Sequence, residues 1–181
     1  MSKETYTELV LREFRRLKRL ADQAMAQVGD QDFFAPHDVA DNSIAVVVKH
    51  MAGNMHSRWR DFLTSDGEKP DRKRDREFVL AAEDTRQFLI SRWESGWELL
   101  FNTLAPLGDD DLRRTVTIRG EPFTVLQAIN RQLTHYAYHV GQIVYAAKYF
   151  AGDGWKSLSV PKGKSEEFNL DPKPYLDESE A

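Results

Sequence analysis

Two histidines, His135 and His139, stand four residues apart in the segment HYAYHVGQI. On an α-helix that spacing projects both imidazoles from one face, one turn apart. One helix supplies two ligands to a single metal ion in this way. The same spacing also arises where histidines are ordinary polar or core residues, and the pair alone does not separate the two readings. Tyr136 and Tyr138 beside them read as packing aromatics. A metal site needs at least one further ligand, and the chain has no cysteine to supply it. That absence also removes disulfides, zinc ribbons, iron–sulfur clusters and a thiol nucleophile of the protein's own.

Three other histidines are candidates, together with carboxylates. His37 follows Pro36 in a loop, where a surface or loop-pinning role is expected. His50 and His56 both flank the apolar stripe of one helix, so periodicity does not choose between them. Their neighbours do. Around His56 stand Arg60 and, two turns back, Lys49, a cation-rich edge that disfavours a dication. Around His50 stand Val46, Val47, Gly53, Asn54 and Ser57, small or uncharged residues that leave room for a site. His50 is the better third ligand.

Three neutral imidazoles on a divalent ion leave coordination positions open, the pattern of a reactive rather than a structural site. Zinc or nickel suits such ligands, with manganese or iron as alternatives. The ion would generate a nucleophile near neutral pH, from bound water or from the thiol of a small molecule. Gln132, Gln142 and Asn54 are candidates for orienting the imidazoles, or for plain hydrogen bonding between helices. Arg131, near the histidine face, reads as a partner for an anionic substrate group or as a salt-bridge residue.

The elements that must position these residues are helical. Residues 5–28 carry apolar positions at three- and four-residue steps, with Arg12, Arg15, Arg16 and Arg19 on the other face. Residues 30–42 read as a connection. Ser43 is an N-cap candidate for a helix to about residue 63, with Ile44, Val47, Met51, Met55 and Trp59 in its stripe. In residues 66–77 ten of twelve positions are charged, five of each sign. Balanced charge predicts a solvated loop with no phosphate-binding field. Asp84 and Gln87 read as a capping box for a helix carrying Leu89, Trp93, Gly96, Trp97 and Leu100. Residues 115–123 alternate around Arg119-Gly120 and predict a short β-hairpin. A last helix spans about residues 124–150, with Arg131 and Lys148 as the only formal charges from Val125 onward. Such a helix is covered on most sides by the rest of the protein, a partner subunit or a cavity. Residues 155–181 contain three prolines and are expected to be irregular, packed on the body or partly disordered. The expected division is therefore a helical domain over residues 1–154 and a tail over 155–181. Four long amphipathic segments argue for an all-α bundle, with up-down-down-up order and a simple meander both open.

The chain has 181 residues, 41% of them hydrophobic and 30% charged, enough for one core. A net charge of −4 argues against general attraction to nucleic acid or anionic membrane. The N-terminal residues interrupt their apolar positions with charge and do not read as a signal peptide. The uncharged run from Gln132 to Ala147 is too short and polar to span a bilayer. A cytoplasmic protein is expected.

With His50 in one helix and the HYAYHVGQI segment in the last, the chain resembles the DinB/YfiT-like family. The likeness extends to HMAGNMHSRWRDFLTSDGEKPDRKRDREF and to GWKSLSVPKGKSEEFN, which look like one DinB-like subgroup of unassigned function. The resemblance implies an up-down-down-up four-helix bundle, a divalent metal held by His50, His135 and His139, and a homodimer. It further implies a metal-dependent enzyme such as a thiol S-transferase using a low-molecular-weight thiol, or a hydrolase acting on a small electrophile. Fold and ligands do not fix the substrate. The competing reading is a non-catalytic metal-binding or interaction bundle, stress-related and dimeric.

Overall fold

The computed structural model describes residues 4–172. Thr5 accepts the Glu8 N–H at 3.2 Å while the Glu8 carboxylate accepts the Thr5 N–H at 2.7 Å, so α1 (Tyr6–Met25) opens on a capping box. A five-residue helix, α2 (Asp30–Phe34), follows within the expected connection. The buried Phe33 anchors it under the Arg86 guanidinium, which also donates to the Met25 and Val28 carbonyls. Ser43 caps α3 (Ile44–Trp59) through the Val46 N–H. The next cap lies one residue beyond the expected Asp84: Thr85 accepts the Phe88 N–H and opens α4 (Arg86–Leu104). Asp84 is taken by Lys49 Nζ at 2.6 Å and the Ala81 N–H at 2.7 Å, which leaves the helix end to its neighbour. Thr124 and Gln127 form a second capping box at α5 (Val125–Ala151).

Strands β1 (Thr115–Ile118) and β2 (Glu121–Thr124) pair antiparallel, Thr115 opposite Thr124 and Ile118 opposite Glu121. Their two-residue turn places Arg119 at φ 58° and Gly120 at φ 75°. Two positive φ values are the mark of a type I′ turn, in which glycine at the second position is unstrained. Asp66 closes it from outside, accepting the Arg119 and Gly120 N–H groups at 2.8 Å each.

The charged run of residues 66–77 is therefore not simply a solvated loop. Lys69 and Glu77 are buried, and the Arg72 side chain is 5% exposed. The run bridges the hairpin to α3, and its last part, a 3-10 turn over Arg74–Phe78, packs on that helix. The tail also carries order. After a 3-10 turn at Gly152–Gly154, Gln27 at the end of α1 exchanges two hydrogen bonds with the Lys156 backbone. A short exposed helix, α6 (Ser165–Leu170), follows. Positions 173–181 of the expected tail lie outside the described residues.

Six helices and one two-stranded hairpin make up the regular structure of the described residues. The core is set by the long helices: α3 packs on α4 and α5, and α1 packs on α5 and α4. One aromatic from each meets at the centre. Phe14 of α1 lies 6.3 Å from the Trp59 and Trp97 rings and 5.9 Å from Tyr136, all essentially inaccessible. Gly96 permits the α3–α4 approach, since a Cβ there would sit 3.0 Å from Met55 Cε. This shared core fixes the register of α3 against α5, and with it the histidines.

Candidate metal centre

His50 faces α5 from α3, and His135 and His139 face it from one side of α5. One ligand atom from each of the three lies within 4.8 Å of the others, close enough to hold a metal ion. The His135 and His139 Nε2 atoms are 3.1 Å apart. Two nitrogens each about 2.0–2.1 Å from a tetrahedral ion stand at a similar separation, slightly above 3 Å. The His50 ring centroid is 5.6 Å from that of His135 and 4.9 Å from that of His139.

Neighbouring groups fix which nitrogen is free in two of the rings. The His50 Nδ1–H donates to Glu77 Oε2 at 2.8 Å, and the His139 Nδ1–H donates to Gln142 Oε1 at 2.7 Å. Both arrangements turn an Nε2 lone pair toward the cluster, the tautomer that a ligating imidazole requires. His135 Nδ1 is buried with no hydrogen-bond partner among the described residues, consistent with a bare lone pair. One proton, carried by His135 Nε2, satisfies the contact between the two Nε2 atoms; with a cation in its place the neutral His135 ring carries its hydrogen on Nδ1 instead. Burial, then repulsion from the protonated forms of His139 and His50 and from the Arg58 and Arg72 charges, holds the His135 pKa down to about 3. Burial also lowers that of His139, against the Gln142 hydrogen bond that favours its charged form. These two rings are neutral at physiological pH, as metal ligation demands.

Glu77 was not legible as a site residue in the sequence. Burial works to raise its pKa, but Arg72 and then His50 outweigh it and lower the value, so the carboxylate is ionised. Arg72 grips it with two bonds of 2.8 Å, from Nε and Nη2. The signal that could have found it is Gly53: any Cβ at that position would collide with the Glu77 carboxylate. The room beside His50 that the small residues imply is the room Glu77 fills. Phe78 then lays its ring 4.8 Å from the His50 ring.

The other candidates fall elsewhere. His37 stays on its loop, 3.4 Å from Asp41 and against the Tyr149 ring. His56 Nε2 meets Ser95 Oγ at 3.0 Å, away from the cluster. Of the three amides, only Gln142 touches an imidazole. Asn54 accepts from the Tyr136 hydroxyl, which in turn accepts from Trp59 Nε1, and Gln132 Oε1 is buried without a partner among the described residues. Tyr136 is a core aromatic, and Tyr138 is 64% exposed. Arg131 lies over the Phe123 ring of the hairpin.

Residues 2–164 match the family described as Protein of unknown function (DUF1572), and the chain belongs to that DinB-like family. The comparison with curated proteins gave no match. No helix of the described residues is long and apolar enough to cross a membrane.

Proposed function

We infer that the protein is a divalent-metal-dependent enzyme acting on a small electrophilic molecule, with His50, His135 and His139 as the metal ligands. The observation that carries this reading is the convergence of three histidines from two helices within 4.8 Å. The donor set fits zinc or nickel best, and manganese or iron less well. The ion, when bound, supplies a nucleophile by acidifying water or the thiol of a low-molecular-weight cosubstrate. The protein has no cysteine, so any such thiol comes with the substrates. Glu77 and Gln142 hold two of the rings in the ligating tautomer, and Phe78 covers the His50 ring.

The pairwise packing of α1, α3, α4 and α5 supports reading the body as an up-down-down-up four-helix bundle. The sparsely charged exposed face of α5, with Tyr138, Tyr145 and Tyr149, supports a homodimer. A cytoplasmic location, with neither nucleic acid nor membrane as partner, accords with the net charge of −4 and the lack of cysteine.

A non-catalytic metal-binding bundle is the second reading. It draws support from a cleft of about 540 Å³ between α3 and α4 that none of the three histidines lines. Assays of zinc- or nickel-loaded protein with small thiols and an aryl halide separate the two. The enzyme reading expects metal-dependent thiol consumption, abolished in His50→Ala. Rates equal to the protein-free reaction for thiols, and for hydrolysis of activated esters, would favour the second reading.

A further inference from the structure

The charged run of residues 66–77 is balanced in sequence but not in space. Asp66 is spent on the hairpin backbone, and Glu68 faces Arg58 and Arg72. Asp71 pairs with Arg60 at 2.6 Å, and Glu77 is held by Arg72 and His50. Lys73 and Arg76, in contrast, are exposed and form no ion pair among the described residues. Both line the cleft of about 540 Å³ between this run, α3 and α4. Arg92 of α4, likewise exposed and without an ion pair, lines it too.

Seven lysines and arginines line this cleft against four carboxylates. Three of those carboxylates are neutralised where they stand: Asp84 by Lys49, Asp71 by Arg60 and Glu77 by Arg72. Glu83 alone has no such partner among the described residues. Phe88, 43% exposed, and Leu89 add an apolar wall, and Ala52 and Gly53 add a flat one. The volume is that of a small-molecule site, and low-dielectric walls concentrate the field of unpaired cations inside a concavity.

We propose that this cleft binds a small organic anion, its carboxylate or phosphate met by Lys73, Arg76 and Arg92 and its apolar body lying against Phe88 and Leu89. The site does not depend on the metal reading. Its three exposed cations without an ion pair among the described residues come from two different segments, so they face the ligand from more than one side. The excess of cation is also why His56, on the same wall, is a poor place for a dication: burial lowers its pKa first, and the Arg92 and Arg60 charges that lower it further would equally repel the ion.

Phenyl phosphate and inorganic phosphate serve as probes, titrated calorimetrically into the full chain. Saturable one-to-one binding of phenyl phosphate is expected, weakening as salt is raised. The double variant Arg76→Gln/Arg92→Gln should bind it about tenfold or more weakly. Phe88→Ser should weaken phenyl phosphate and leave inorganic phosphate unchanged. Arg113→Gln, on an exposed turn outside the cleft, should change neither. These side chains are exposed, so all variants should melt as the wild type does. Absence of saturable binding overturns the proposal, as does unaltered affinity in the double variant or an equal loss in Arg113→Gln.

Discussion

Glu77 serves two buried partners at once, the Arg72 guanidinium and the His50 imidazole, and this double duty has consequences for a substitution. In Glu77→Leu the buried Arg72 loses two hydrogen bonds and keeps only Glu68 as a counter-charge, and His50 loses the acceptor that fixes its tautomer. Metal affinity should fall by about 10–100-fold, the usual effect of removing a group that orients a ligand. Stability should fall by about 3 kcal/mol, because buried donors on Arg72 and His50 are left without acceptors. Metal titration and urea unfolding read the two effects separately, and an unchanged metal affinity would sink this view of Glu77. At this scale the sequence was informative for the histidines and mute for the carboxylate. The four-residue spacing of His135 and His139, and the small neighbours of His50, are local patterns. Which of five acids in residues 66–77 turns inward depends on how the whole run folds over α3.

The elements that set the site are short-range choices with long-range effects. Gly53 keeps α3 bare where Glu77 crosses it, so Gly53→Ala should displace the carboxylate, destabilise by about 1–3 kcal/mol and weaken metal binding in parallel. Full metal affinity in that variant would contradict the linkage. Asp66 holds the hairpin turn against α3's flanking loop. Burial favours its neutral form, yet the N–H groups of Gly120, Glu68 and Arg119 outweigh this and lower its pKa from 3.8 to about 2. The unfolded chain therefore takes up the proton first as pH falls. The stabilisation is complete above about pH 4 and is lost as pH drops through about 2. The stability margin of wild type over Asp66→Asn, measured by urea unfolding, should shrink across that window. A margin that is constant with pH would count against the assignment. Long helices and the hairpin were legible because apolar periodicity, the Ser43 cap and the Arg119-Gly120 turn are written locally. The two short helices were not. With five and six residues, α2 and α6 show too little periodicity, and α2 rests on one buried ring, Phe33.

At the scale of the whole molecule, the core and the histidine cluster are separable. Phe14, Trp59, Trp97 and Tyr136 hold α1, α3, α4 and α5 together without any contribution from a metal. Chelation should therefore leave the far-ultraviolet circular dichroism intact, while added metal raises the melting temperature by mass action, by about 2.7 kcal/mol of stability at a hundredfold excess over Kd. Unfolding on chelation would instead mark a structural site. The measurement that bears most directly on the metal centre is the metal content of protein purified without added metal, with three variants alongside. About one equivalent per chain is expected in wild type, lost in His50→Ala and in His135→Ala and kept in His56→Ala. A wild type that is metal-free and cannot be loaded, or a His50→Ala protein that retains its metal, would contradict the assignment of His50, His135 and His139 as the ligands.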